Sequence, residues 1–141
     1  LLASSAASDV YKRQDKTMNN LKRLDVHVVV HMIIGLPGET KQDMISTVRH
    51  IADSGADGIK LQLLHVLKNT VLEKMYINGE FDVLTFEEYA DILCDCLMEL
   101  PPDMVVHRFT GDGPKKILVA PMWSADKKMV LNRLNRIVSD L

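Results

Sequence analysis

Five polar side chains fall where a strand hands over to a loop: His31, Gln62, His65, His107 and Arg108. Such positions collect functional groups in α/β sheets, because the carboxyl ends of parallel strands open onto the crevice that holds a ligand. His27 is also on the first of these strands, but at its other end. Side chains alternate between the faces of a strand. His27, Val29, His31 and Ile33 therefore share one face, and Lys60, Gln62 and Leu64 share one face of the next strand. His107 and Arg108 fall on opposite faces of the third. A parallel strand buried on both faces reads as continuous apolar residues, and these do not. Polar groups on one face of each are costly to bury unpaired; an interior that receives a polar ligand accounts for them. A strand histidine is also a common structural residue, Lys60 can lie on an open sheet face, and Arg108 can pair with a nearby Asp.

Between the first strand and the next helix stands His31-Met-Ile-Ile-Gly-Leu-Pro-Gly-Glu-Thr40. Gly35 and Gly38 let the backbone approach a ligand closely. The loop feeds a helix N-terminus, where free N–H groups favour an anionic group. A plain strand-to-helix turn would use the same residues.

The elements that must position these groups follow from pattern. Lys16–Leu24 reads as the end of a helix, Val26–Ile34 as a strand. Thr40, with Asp43 three residues on, caps a helix carrying Met44, Ile45, Val48, Ile51 and Ala52 on one stripe, stopped by Gly55. Gly58–Leu64 is a second strand, Leu72–Ile77 a short helix. Thr85-Phe-Glu-Glu88 is a capping box. It opens a helix with Tyr89, Ile92, Leu93, Cys96, Leu97 and Leu100 on its stripe, stopped by Pro101-Pro102. Met104–Phe109 is the third strand. Ile117–Trp123 is a short apolar segment, and Ala125–Leu141 an amphipathic helix with Val130, Leu134, Ile137, Val138 and Leu141 inward. Strand, helix, strand, helix, strand implies parallel βαβ units. Three strands close no barrel and leave raw edges, so the pattern reads as a piece of something larger.

Composition sets the bounds. The 141 residues fit one domain, and 47% hydrophobic with 26% charged is ordinary for a soluble chain. A net charge of −2 indicates neither a nucleic-acid nor a membrane-surface partner, and no apolar run can span a bilayer. The two cysteines, Cys94 and Cys96, are two apart on a helix and face different ways, a poor metal clip; Cys96 is expected in the core. Low cysteine use implies a cytoplasmic protein. Residues 1–14 lack an initiator Met and a periodic apolar face, and read as a non-native leader. The body is then 15–141.

Ile-Ile-Gly-Leu-Pro-Gly-Glu-Thr resembles the fifth-strand motif of radical S-adenosylmethionine (SAM) enzymes. The likeness is greatest in the branch with oxygen-independent coproporphyrinogen dehydrogenase and the Elongator catalytic subunit. Gly58-Ile-Lys-Leu-Gln-Leu-Leu-His-Val-Leu-Lys-Asn-Thr70, Leu72-Glu-Lys-Met-Tyr76 and His107-Arg-Phe-Thr-Gly-Asp112 extend the likeness over about Leu21 to Leu141, within an incompletely characterised bacterial subfamily. The resemblance implies the C-terminal part of a (β/α)6 partial TIM-like barrel with a C-terminal extension. In such enzymes a CxxxCxxC loop holds a [4Fe-4S] cluster whose unique iron binds SAM. Reduction by an electron donor yields a 5′-deoxyadenosyl radical that abstracts hydrogen from substrate. Carried over by position, Ile33 packs on the adenine, while Gly35 and the loop to Gly38 shape its pocket. Leu64, His65 and Val66 sit near the nucleoside, and Lys68 reaches an anionic group. His31, Gln62 and Arg108 line the lumen near substrate. Here His31 stands where the family motif usually has glycine, Glu39 follows Gly35 by four residues instead of three, and no CxxxCxxC occurs. The piece therefore supplies binding surface without cluster ligands and is expected to be inactive alone. Two other functions fit less of the chain. A phosphate or nucleotide binder would use Gly35–Thr40 as an anion cradle, although no P-loop lysine or GxGxxG follows. A non-catalytic interaction module would dock through the last helix.

Overall fold

The computed structural model describes residues 2–111 and 113–141, with side chains from residue 12 onward. Asp112, the last residue of the third motif, lies outside the described residues, as do the side chains of most of the doubtful leader. A helix α1 (Leu2–Lys22) leads into strand β1 (Val29–Ile34), helix α2 (Lys41–Asp53) and strand β2 (Gly58–Leu63). Then come β3 (Val66–Leu67), α3 (Val71–Ile77), α4 (Phe86–Met98), β4 (Val105–Arg108), β5 (Leu118–Ala120) and α5 (Lys127–Ser139).

Strands β1, β2 and β4 form a parallel three-stranded sheet with β2 in the middle, the arrangement the alternation of elements implied. Met32, Ile34, Ile59, Leu61 and Leu63 turn one face into the core, against Met44, Val48 and Ile51 of α2 and Tyr89, Leu93 and Cys96 of α4. The predicted capping box at Thr85 forms, and the expected Thr40 cap is a capping box as well. Thr40 and Asp43 satisfy each other's backbone N–H groups at the start of α2, and Thr85 and Glu88 do so at α4. Gly55, at φ +77°, follows the end of α2 in the left-handed conformation that an L side chain resists.

The structure departs from the sequence expectation in several places. β1 starts at Val29 because Asp57 captures the preceding residue: its carboxylate accepts the Val28 N–H at 2.7 Å, and the Val28 carbonyl accepts the Asp57 N–H at 2.9 Å. α5 starts at Lys127 because Asp126 caps it, accepting from the Met129 N–H, while Met122–Ala125 winds into a 3₁₀ turn. Leu141, expected on the inward stripe, lies beyond that helix and is exposed. Finally, β3 and β5 pair antiparallel, Val66 opposite Ala120 and Leu67 opposite Leu118, as a small ribbon. Two- and three-residue strands are too short for a period-two pattern to reveal.

Helix α1 runs through Gln14. Its core contacts come from Met18 and Leu21, and Lys22 ties it to Asp57 at 2.8 Å.

Candidate functional site

The second face of the sheet is left to solvent. On β1, His31 and Ile33 are exposed, Ile33 to 42%, while Met32 and Ile34 between them are buried. On β2, Lys60 and Gln62 are half-buried and alternate with the fully buried Ile59 and Leu61. The parallel register sets His31 beside Lys60 and Ile33 beside Gln62. A diagonal contact links the two rungs: Gln62 Nε2 lies 3.3 Å from His31 Nδ1. The pair forms a side-chain bridge between the two strands.

On β4 the ladder slips between Ile59 and Lys60, so Val106 pairs with Ile59 but Arg108 with Lys60, leaving His107 as the extra residue. A Cβ on Gly58 would lie 2.7 Å from His107 Nε2, so the imidazole rests over the bare backbone of β2. That close approach is one signal sequence reasoning missed: an isolated glycine inside a strand marks where another group comes near. His65 packs on the loop after β4. A Cβ on Gly113 would lie 2.7 Å from its Cδ2, and one on Gly111 would lie 3.4 Å from its Cε1 and 3.6 Å from Gln62 Cβ. Glycines 111 and 113 thus let this loop fold down over the end of β2.

The Gly35–Thr40 loop closes the rim at β1. Gly35 (φ +93°) and Gly38 (φ +82°) both take the left-handed conformation. A side chain at Gly35 would also meet Leu84 Cδ1 at 3.0 Å, whereas the space at Gly38 is open. The Gly35 N–H points to Met44 Sδ at 3.3 Å, a bond to sulfur from the following helix. Beside the outer edge of β1 is a hollow of about 420 Å³, and His31, Ile33, Leu36, Glu39 and His50 are in its wall. The sequence marked Glu39 only by its spacing of four residues after Gly35. Its Oε2 is buried without a hydrogen-bond partner among the described residues. Burial first, then the charge of Asp43, raises its pKa against the opposing Leu36 backbone hydrogen bond.

The sequence-derived candidates thus fall into groups. His31, Ile33 and Gln62 share the open face, and Lys60 lies between them on the same ladder. Gly35 and Gly38 form the adjoining rim, and His65 stands with Gln62 under Gly111. Leu64 is buried, its N–H donating to the Ile34 carbonyl at 3.0 Å. Val66 is fully buried in the ribbon, and Lys68 is exposed, its N–H donating to the Ile117 carbonyl at 2.8 Å. Arg108 also borders a separate hollow of about 220 Å³ with Phe109, Lys127 and Leu131.

Cys96 is fully buried, and burial pushes its thiol up to about 12; Cys94, half-buried, is raised for the same leading reason. Among the described residues no three His, Cys, Asp or Glu side chains converge as metal ligands, and no helix is long and apolar enough to cross a membrane.

Comparison with known proteins adds the following. The family described as Radical_SAM C-terminal domain matches residues 56–139. YtqA of Bacillus subtilis (strain 168) is 41% identical over 119 residues, which are 84% of this chain and 37% of YtqA. Anaerobilin synthase of Escherichia coli O157:H7 is 36% identical over 72 residues, 51% of this chain and 16% of that protein. Elp3 of the archaeon Methanocaldococcus infernus, lacking its N-terminus, superposes with a TM-score of 0.71 over 89% of this chain and 30% of its own, at 20% identity. That last likeness concerns the fold. The chain spans well under half the length of these relatives.

Proposed function

Because the chain belongs to the radical SAM C-terminal domain family, we propose that it forms one wall of an active site that reductively cleaves S-adenosylmethionine with a [4Fe-4S] cluster. When bound, those groups supply a 5′-deoxyadenosyl radical that takes hydrogen from substrate. The observation that carries this reading is the solvent-open, polar-lined sheet face. There the His31–Gln62 contact and the exposed Ile33 adjoin a left-handed glycine loop at the strands' carboxyl ends.

The residues present fit the nucleoside and not the cluster. Ile33 offers an exposed apolar surface for an adenine ring, and the open space at Gly38 lets backbone approach it. Cysteine thiolates are the usual cluster ligands. The two here stand on α4, one sealed in the core, so the ligands belong to other segments of the enzyme. In this reading His31 and Gln62 orient the substrate, Gln62 by its amide and His31 by its imidazole. Glu39 stands at the rim, its carboxyl raised above the ordinary value chiefly by burial. The chain alone has no radical chemistry, and the enzyme needs an electron donor.

The test is anaerobic reduction of the full-length enzyme with iron and sulfide restored, followed by assay of 5′-deoxyadenosine. The nucleoside is expected from the whole enzyme and not from this chain. Its absence from a full-length enzyme with a fully loaded cluster would overturn the reading.

A further inference from the structure

Among the described residues, four lysines and arginines are answered by carboxylates. Lys22 pairs with Asp57, Lys41 with Asp91 and Asp95, Arg49 with Glu99, and Arg133 with Glu87, all at 3.0 Å or less. Lys60 is different. It stands on the central strand, half-buried, with no hydrogen-bond or ion-pair partner among the described residues. The three strands of its sheet contain no Asp or Glu. Its ladder neighbours are His31 on one side and Arg108 on the other, and the His107 ring rests over Gly58, two residues back on the same face. Gln62, two residues on, is held by His31. Nitrogen-bearing side chains therefore flank Lys60 on both neighbouring strands, with no carboxylate on the sheet to balance them. With its stem half-buried on the open face and no carboxylate on the three strands, the Lys60 ammonium is placed to meet an anion arriving from solvent.

We propose that Lys60, between His31 and His107, binds an anionic group of the substrate, a carboxylate or a phosphate. The inference rests on reading the open face as the substrate site. It makes that site selective for acidic molecules. Lys60 supplies the charge, His107 lies where an imidazole can add a donor, and Gly58 is small so that the ring can reach over β2.

Inorganic pyrophosphate is a suitable probe, because its binding needs neither cluster nor radical and is read from histidine ring NMR signals of this chain. Saturable shifts of His31 and His107, with His50 unmoved, are expected. A charge-assisted contact is worth about 1.5–3 kcal/mol, so Lys60→Met should weaken binding roughly tenfold or more, and Lys60→Arg should largely restore it. No saturable shift, or equal affinity in Lys60→Met with its fold intact by circular dichroism, would overturn the proposal. If Lys60→Met fails to fold, Lys60→Gln gives the same comparison. The SAM carboxylate is the other possible source of the anion. S-adenosylhomocysteine is expected to leave pyrophosphate bound; its competition would assign the anion to the cofactor and overturn the assignment to substrate. Loss of pyrophosphate binding with 5′-deoxyadenosine still formed by the full-length enzyme would refute this inference alone.

Discussion

Gln62 Nε2 reaches His31 Nδ1 at 3.3 Å from one strand to its parallel neighbour, joining a rung of the ladder to the one beyond it. Neither residue is within 30 positions of the other in the chain. The contact ties the imidazole of one strand to the amide of the next.

An exposed neutral hydrogen bond contributes about 0.5–1.5 kcal/mol. Gln62→Ala should therefore cost little in urea unfolding. In the full-length enzyme it should slow substrate turnover while 5′-deoxyadenosine formation without substrate stays near the unmutated level. Equal loss of both would remove Gln62 from the substrate side.

Gly58→Ala should be costly. The new methyl would meet His107 at 2.7 Å and the Val105 carbonyl oxygen at 2.8 Å. Overpacking of this kind costs about 1–3 kcal/mol, measurable as a lower urea midpoint. Adding His107→Ala should recover part of the loss and not all, because the backbone oxygen remains. Full recovery would mean that β4 shifts freely.

Cys96 should resist iodoacetamide at pH 8 in the folded chain and react only on unfolding, since burial keeps its thiol protonated up to about 12. Cys94, half-buried and less strongly shifted, should react first. Peptide mass spectrometry distinguishes the two sites. Labelling of Cys96 at the rate of Cys94 would place α4 differently.

Acid should undo the caps. Hydrogen bonds from the Thr40 side chain and backbone lower the Asp43 carboxyl from 3.8, and those from the Thr85 backbone and side chain lower Glu88 from 4.5. A depressed carboxyl stabilises the fold above its ordinary pKa and loses that contribution as pH falls through the folded value. Thr40→Val with Thr85→Val should then lower Tm at pH 7, each cap being worth about 1 kcal/mol, and the gap to the unmutated chain should narrow below pH 4. A gap independent of pH would show that the carboxylates do not share in the caps.

Glu39 has the opposite sign. Its pKa is raised, so ionisation opposes folding as pH rises past 4.5. The Tm of Glu39→Gln relative to the unmutated chain should be more favourable at pH 7 than at pH 4. No change in that difference would mean its carboxylate is fully solvated.

Much of this was legible in the residues. Period and capping chemistry are local, so the stripe of α2, the cap at Thr40, the box at Thr85 and the three parallel strands could be read directly. So could the polar face, because alternation along a strand needs no knowledge of its neighbours. The resemblance carried by the Gly35–Thr40 loop was legible for the same reason, being one unbroken stretch of chain.

What tertiary structure alone decided is everything that depends on register between distant segments. The slip that brings Arg108 level with Lys60, the imidazole of His107 over Gly58, the seat of His65 on Gly111 and Gly113, and the burial of Glu39 all join residues whose spacing in sequence says nothing of their distance. A strand's own pattern states which way a side chain points. Only hydrogen-bond pairing between strands, with the bulge that shifts it, states what that side chain meets.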